Sequence, residues 1–562
     1  MNKLFKKYKI AILLILSLFL FWVLSTFYPF TFDLTEDRRY SLSDATISLI
    51  DSQTENIRAE VLFEGEFPAG YQNLRDEVEN ILKRFRSINP RFSLEFINPL
   101  EGSDQEVKER MEQFAQIGLM PFPIRFESES EFKAVQAFPY VIFSSGQKNV
   151  IVNIIEGSVV GPYSEENLNK AISRLEYKMA NSIKKINQSQ RKRIGILEGH
   201  GEFDAQGLFM LRSELSRYYE TYIVNQDSID LIPLELDLLI VSSPDKAFKD
   251  DHIFQLDHYI NQGGHVIWLI DKFSINSDSI DKGEGYIPLP RRLGLENLFF
   301  KHGVRINDDV ILDLECSTIP IVTATPSGQP QMESFPWYYH PLVLPNEFHP
   351  ITGSIDRVNL FYPSSIEILN TLTVNSSILL STSHKTRISS APFNLTFEIL
   401  RYPPDVDMFQ QGPLPVAVIL EGSFPPLYNN RLPAEFQEKL NQAGQQLNAS
   451  GRPSKQLFVS DADFILTQFL QQNGEPLPMG YNKGERRKYQ GNEDFILNAV
   501  EYMMGDGDIL ASKAKSRKLY LLDKVKAKSE KTWWQVVNIL FPLLSLLVFG
   551  LIFNFWRKKK YT

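Results

Sequence analysis

Cysteine is almost missing: Cys316 is the single one in 562 residues. That count excludes an internal disulfide, a thiolate metal site and a Cys-x-x-Cys redox centre. Nucleotide-binding loops are missing as well. Neither Gly-x-Gly-x-x-Gly nor Gly-x-x-x-x-Gly-Lys-[Ser/Thr] occurs, so no cradle for a pyrophosphate or for ATP phosphates is indicated. No internal repeat and no low-complexity tract is present.

Charge is absent from two long runs, residues 10–32 and 533–556. Each has an apolar core about as long as a bilayer is thick. The first is too long for the apolar part of a signal peptide, and no small-x-small cleavage site follows it, which points to an uncleaved anchor. Pro542 lies inside the second, where membrane helices tolerate a kink. Acidic residues are absent from both tails, whereas Lys3, Lys6, Lys7 and Lys9 precede the first run and Arg557, Lys558, Lys559 and Lys560 follow the second. The positive-inside rule then puts both termini in the cytoplasm and the bulk of the chain outside the membrane. Trp22, Tyr28, Trp533, Trp534 and Trp556 suit the interfacial aromatic belts. Removing those eight basic residues from the 59 Lys and Arg leaves 51 against 68 Asp and Glu, a balance of −17. So acidic a surface argues against general nucleic-acid binding.

After the first run, Ser43 or Asp44 is placed to cap a short helix with Ile47 and Ile50 on one face. "NIRAEVLFEG" has the pattern of a strand and "YQNLRDEVENILKRFRSI" that of an amphipathic helix, with Leu74, Val78, Ile81, Leu82 and Phe85 at helical spacing. Strand, helix and three further strands follow, giving the β-α-β-α-β-β order of a thioredoxin-like layer. Without cysteines near its first helix, such a layer is a scaffold and not a redox enzyme. Residues 164–190 suggest a long, polar-faced linking helix. From 191 on, short apolar strands alternate with helices, which implies a parallel, doubly wound sheet. The pattern loosens over about 272–410, where proline clusters suggest irregular insertions and short antiparallel strands, and returns with strands at 414–424 and 456–464 and a helix at 492–506.

The most reactive-looking stretch is "RIGILEGHGEF", 193–203, where a strand runs into Glu198, Gly199, His200, Gly201 and Glu202. Loops after the first strand of an open α/β sheet commonly bind ligands, but glycines there also serve a tight turn into a helix. No third and fourth metal ligand is local. The loop is read as a strand–turn–helix junction, with Glu198, His200 and Glu202 retained as a possible ligand or partner loop. Asp461 and Asp463, at another strand's end, suit either a hard cation or the cap of the next helix, and the capping role is preferred. Glu421 is read as a polar strand exit, and His340 and His349, each before a proline, as surface or turn residues. The strand ending Leu269-Ile270-Asp271-Lys272 stands where class I glutamine amidotransferase-like folds carry a Gly-x-Cys-x-Gly nucleophile elbow. Neither that elbow nor a serine version of it is present, and a nucleophile without elbow and base has no activation. No catalytic residue, metal or cofactor is expected.

Six stretches in order, "DLTEDRRYSLSDAT", "GILEGHGE", "PVAVILEGSFPPLYNNR", "VSDADF", "GNEDFILNAVEYMMGD" and "LYLLDKVKAKSEKTWWQVVNILFPLL", resemble the GldG family, the gliding-associated ABC-transporter auxiliary proteins of the Bacteroidetes. Ala462 departs from that family's usual glycine, which weakens any cation role for the Asp461–Asp463 turn. The resemblance implies a membrane-anchored auxiliary subunit acting with a separate ATPase and a separate multi-span permease in gliding motility and secretion. It names no ligand-contacting residue and no transported substrate. The expected fold class is α/β: a thioredoxin-like N-terminal layer and a class I glutamine amidotransferase-like, doubly wound, catalytically empty domain, flanked by two transmembrane helices. The expected organisation is a cytoplasmic tail and first span (1–28), a thioredoxin-like extracytoplasmic domain (29–163), a linking helix (164–190), the amidotransferase-like domain (191–530), and a second span with its basic tail (533–562). The expected location is the bacterial inner membrane with the bulk periplasmic. A periplasmic scaffold without transport role and an enzyme of amidotransferase-like fold are the alternatives.

Overall fold

The computed structural model describes residues 41–128, 131–155, 165–188, 190–275, 280, 285–324, 331–369, 373–402, 404–428, 432–513 and 530–561. The expected first span, residues 10–32, and the tail before it lie outside the described residues. The chain divides into two compact units, Tyr40–Ser516 and the two terminal segments Met1–Arg39 with Arg517–Thr562.

The larger unit is mixed α/β. It opens with helix α1 (Asp44–Asp51), capped by Ser43, whose hydroxyl accepts from the Thr46 amide at 3.2 Å. Ile50 is buried as expected, but Ile47 is 40% exposed and Thr46 takes its place against the core. Strand β1 (Ile57–Val61) is followed by helix α2 (Ala69–Ile88), strand β2 (Phe92–Phe96) and helix α3 (Asp104–Gln116). On α2 the side chains of Leu74, Val78, Ile81, Leu82 and Phe85 are all buried, each worth about 1.5–3 kcal/mol of burial. Ser103 and Glu106 form a reciprocal capping box at the start of α3. Strands β3 (Phe122–Ser128) and β4 (Glu131–Ala137) pair as a separate hairpin, and β5 (Tyr140–Ser145) and β6 (Lys148–Asn153) return to the first sheet. Its order is β2-β1-β5-β6. β1 and β2 are parallel, while β5 runs antiparallel to both β1 and β6.

Helix α4 (Glu165–Ile186) is more than a polar connector. Leu168, Ile172, Leu175, Met179 and Ile183 are buried in the core beneath the first sheet, while Tyr177 and Ala180 belong to the core of the next. Its polar residues are equally committed. Arg174 Nη2 meets Asp494 Oδ2 at 2.7 Å with both side chains 7% exposed, and Lys185 and Asn181 bind Glu501 at 3.2 and 2.8 Å.

The second sheet starts with β7 (Arg193–Glu198), helix α5 (Phe209–Ser216), β8 (Glu220–Asn225), β9 (Leu238–Ser242), helix α6 (Asp250–Asn261) and β10 (His265–Leu269). Helix α7 (Glu296–His302) lies in the loosely patterned region, with strands β11 (Cys316–Ala324), β12 (Gln331–Pro345) and β13 (Val374–Ser381). Strand β14 (Pro415–Ser423), helix α8 (Ala434–Ala443), strand β15 (Pro453–Val459), helix α9 (Gln490–Glu501) and helix α10 (Gly507–Lys513) complete the unit. The main path of the sheet is β11-β12-β13-β14-β15-β10-β9-β7-β8. The strands from β8 to β15 are parallel, and those from β15 to β11 antiparallel. A doubly wound half thus continues into an antiparallel half. The region expected to hold irregular insertions and short antiparallel strands supplies three strands of it, with Pro336 and Pro341 accommodated where the β11–β12 register shifts.

In the terminal unit, helix α11 (Lys531–Tyr561) includes Trp533–Arg557, which is long and apolar enough to cross a membrane and has none of that window buried. Within its apolar centre the Ser545 hydroxyl donates to the Phe541 carbonyl at 2.8 Å.

The buried Arg174–Asp494 pair yields a stability prediction. Arg174→Met leaves the Asp494 carboxylate with the Gln490 amide at 3.4 Å and the Lys513 ammonium at 3.9 Å, and is expected to cost about 3–5 kcal/mol. Combining it with Asp494→Leu is expected to recover most of that loss. Denaturant unfolding of the purified full chain checks both, and equal losses in the single and double variants would contradict the assignment.

Candidate functional site

In the parallel half the chain leaves β7 on one side for β8 and returns on the other for β9. The strand order therefore reverses between β7 and β9, and in open α/β sheets ligands bind outside the carboxyl ends of the strands at such a point. The loop after β7 is the one singled out from the sequence. Gly199 and Gly201 have φ of 133° and 79°, values that an L side chain rarely adopts. At Gly201 space is also closed: a Cβ would sit 1.7 Å from Asp245 Oδ1. The turn is pinned by the Asp245 and Lys246 amides, which both donate to the His200 carbonyl at 2.9 Å, and by the Phe203 amide, which donates to Ser242 O.

His200 does not face solvent. It is 2% exposed and stacks on Phe248 with centroids 3.6 Å apart. Its amide donates to Glu202 Oε2 at 2.7 Å, its Nδ1 lies 3.1 Å from Glu202 Oε1, and its Nε2 lies 2.8 Å from His252 Nδ1. A carboxylate only accepts, so Nδ1 carries the proton and Nε2 accepts from His252. Burial and the neighbouring His200 ring lower the pKa of His252, which favours neutral imidazole. Glu198, half-buried at the end of β7, pairs in register with Asn225.

Asp461 and Asp463 follow β15 on the same edge. Neither caps a long helix: Asp461 Oδ1 accepts from the Asp463 amide at 3.0 Å at a short 3₁₀ turn, and Oδ2 accepts from the distant Phe361 amide at 3.0 Å. They adjoin a residue that had been considered only as a missing nucleophile. Asp271, two residues beyond β10, accepts from the Ala462 amide at 2.7 Å and from the Ser243 hydroxyl. Arg291 reaches over both, with Nη1 3.0 Å from Ser243 Oγ and 3.6 Å from Asp271 Oδ2. Ser243 is a buried non-glycine residue with φ of 51°, an uncommon conformation sustained by these bonds. Burial raises the pKa of all three carboxyls: Asp463 to about 7, Asp271 despite Arg291, and Asp461 furthest, with Asp271 beside it adding to the effect. Asp271 and Asp461 are thus neighbouring buried carboxyls, and the crowding of like charges away from water favours the protonated form.

The sequence candidates thus form two clusters, Glu202–His200–His252 and Asp271–Asp461–Asp463, joined through Ser242 and Ser243. Reading along the chain missed His252, Ser243 and Arg291. "SSP" after a fully apolar strand was the one local signal, since a polar pair at that edge position requires partners. Among the described residues, no group of three or more His, Cys, Asp or Glu is arranged to hold a metal ion. Cys316 is raised to about 12 by burial and by Asp313 nearby, which keeps it a thiol. His340 is buried and not a surface residue: Phe361 and Tyr362 flank its ring at 4.8 Å each, and burial lowers it to about 3. His349 is also buried, and stays in a turn, where Nδ1 accepts from the Ile351 amide. Glu421 lies near the end of β14, bound by Lys455 and the Tyr502 hydroxyl.

Residues 191–499, more than half of the chain, match the family described as an ABC-type uncharacterized transport system, an auxiliary family. The chain belongs to that family. Residues 36–144 match a domain of unknown function, DUF7088. Comparison with curated proteins finds no match. Among solved structures, the mmIFT52 N-terminal domain aligns at 12% identity over 56% of this chain and 97% of its own, with a TM-score of 0.29, and carries no argument. In this transporter-auxiliary chain the β7/β9 edge is filled by its own side chains.

The carboxylate cluster sets a pH dependence. A carboxyl with a raised folded pKa keeps a proton that the unfolded chain has already released, so the Asp463 share of folding stability falls as pH rises from about 4 to about 7 and levels off above. Asp463→Asn abolishes its share of that slope. The variant is expected to match the parent near pH 4 and to exceed it by roughly 2–4 kcal/mol at pH 7.5, read by unfolding midpoints of the full chain across that range. An unchanged slope would contradict the cluster's ionisation as described.

Proposed function

We propose that the chain is a non-catalytic, membrane-anchored auxiliary subunit of an ABC transporter complex. On this reading it sits in a bacterial inner membrane with both termini cytoplasmic and the Tyr40–Ser516 unit periplasmic, acting as a binding and assembly module beside a separate ATPase and a multi-span permease. The observation that carries the reading is the family match over residues 191–499 together with the apolar helix α11. The sequence resemblance to the GldG family of the Bacteroidetes extends it to gliding motility and its associated secretion.

Two features support a scaffold over an enzyme. The β2-β1-β5-β6 order, with β1 parallel to β2 and antiparallel to β5, is consistent with a thioredoxin-like layer spanning about 29–163, and that layer has no cysteine. The β8-β7-β9-β10-β15 order is consistent with an amidotransferase-like domain from about 191. There the position of the nucleophile is taken by Asp271, whose carboxyl accepts from the Ser243 hydroxyl and the Ala462 amide. The proposed boundary between the two runs through α4.

Purification of the tagged chain from detergent extracts is expected to bring down an ATPase and a multi-span permease. Exchange of residues 536–556 for an unrelated single-pass anchor is expected to abolish permease recovery, since Asn538, Ser545, Gly550 and Asn554 are the amide and small residues that let membrane helices approach and bond. Recovery of neither partner by the parent chain would sink the transporter reading in favour of a free-standing scaffold. Joint replacement of His200 and Glu202 by Ala removes buried packing and is expected to cost about 2–4 kcal/mol. It should still leave complex assembly and gliding intact below the melting transition. Loss of gliding by a folded, assembled double variant would mean that the loop is a functional site.

A further inference from the structure

The main sheet ends in two edge strands, β11 and β8, and the two ends are finished differently. On β11 the Thr318 amide donates to Glu485 Oε1 at 2.6 Å, and Pro320 has no N–H to offer. Such features keep an edge from pairing with another chain. On β8 they are missing: "ETYIVN" has no proline and no lysine, and its single charge, Glu220, is paired with Arg193 of β7 at 3.5 Å. One bond fixes which backbone groups of β8 face outward. The Glu220 amide donates to the Lys192 carbonyl beside β7, and along a strand only alternate residues face a given neighbour. Glu220, Tyr222 and Val224 therefore turn to β7. Thr221 and Ile223 turn amide and carbonyl outward, and Asn225 its amide. Among the described residues no group bonds to them. The side chains of Tyr222 and Ile223 on this edge are 46% and 43% exposed.

We propose that β8 is an interface between two copies of this chain, whose β8 strands pair antiparallel about a two-fold axis through Ile223 and join the two main sheets into one. A two-fold contact must be self-complementary, and this edge is. Outward-facing groups meet only if the axis passes through a residue. An axis at Tyr222 sets the Glu220 carboxylate against the apolar Val224 of the second copy. An axis at Ile223 avoids this. Ile223 then exchanges both backbone bonds with Ile223 of the second copy, and each Asn225 amide reaches the opposite Thr221 carbonyl. On the other face of the sheet Tyr222 lies across from Val224 of the second copy, an aromatic–β-branched pair of the kind that stabilises neighbouring strands. Charge also favours a second copy at this place. The chain is acidic between its basic tails, so two copies repel over most of their surface. Along β8 the facing residues are uncharged, and Glu220 has its own arginine.

The test uses the full chain with Cys316→Ser, oxidised mildly in native membranes. Ile223→Cys alone is expected to cross-link two chains. Two differently tagged chains, one with Thr221→Cys and the other with Asn225→Cys, are expected to cross-link to each other. Asn225→Cys alone is expected not to, because its two copies stand about 13 Å apart along the strands. Adding Ile223→Pro to both tagged chains removes the central amide donor of each copy, on an edge where a single chain tolerates proline. Adding Ile223→Lys instead sets two ammonium groups against each other on the axis. Each addition is expected to lower cross-linking about tenfold or more without moving the unfolding midpoint of the chain by more than a few degrees, and the lysine variant decides should the proline variant fail to fold. Absence of cross-links in both arms, equal cross-linking by Asn225→Cys alone, or cross-linking unchanged by Ile223→Lys would each overturn the pairing.

Discussion

The buried pair between Arg174 and Asp494 is the contact on which the arrangement of the large unit depends. Two charges held at 2.7 Å with 7% exposure each gain little net energy over apolar replacements, because desolvation offsets their attraction. What they impose is uniqueness: α4 can seat against α9 in one rotation only, since any other leaves a buried charge without its partner. That rotation turns Leu175, Met179 and Ile183 into the first core and Tyr177 and Ala180 into the second. One helix therefore belongs to both sheets, and the two halves are fixed to each other without a flexible linker.

A second constraint closes the carboxyl edge of the parallel strands. Such an edge is normally open to ligands because the loops diverge at the topological reversal. Here the loops are tied together. His200 is stacked under Phe248, Gly201 leaves room only for Asp245, and Ser243, Asp271, Arg291, Asp461 and the Phe361 amide form one hydrogen-bonded group. The Phe361 amide comes from the segment between β12 and β13 of the antiparallel half, so the cluster also ties that half to the edge. Raised carboxyl pKa values are the electrostatic consequence of packing three acids around one guanidinium away from water.

Much of the architecture was legible along the chain, and the reasons are local. Period-3.6 apolar spacing marked α2, and short apolar runs between helices marked β7, β9 and β10, because each pattern reports one buried face. The capped helix at Ser43 was legible too, although Ile47 turned out exposed and Thr46 buried, since which side of a short helix meets the core depends on α4. The strands between 316 and 381 were legible only as short antiparallel pieces in a proline-rich stretch, not as one half of the main sheet. Pro336 and Pro341 argue against a strand unless the partner's register shifts to receive them, and the shift belongs to the pair, not to either segment. The same holds for His340, whose aromatic neighbours Phe361 and Tyr362 lie some twenty residues away and cannot be inferred from the proline that follows it.

Sequence by itself determined the features that depend on composition within one window: two uncharged runs long enough for a bilayer, basic flanks of one sign, the lack of a thiol pair, and the lack of any phosphate-binding loop. Those follow from transfer free energies and side-chain chemistry that act residue by residue. Tertiary structure alone decided which acids are buried side by side, which histidines lose contact with water, and that Ser43 and Lys513 both meet α4 near Glu176 and Tyr177. Asp271 and Asp461 are 190 residues apart in the chain but occupy neighbouring strand ends. Their coupling is created by the parallel pairing of β10 with β15, a long-range contact whose partners no local pattern specifies.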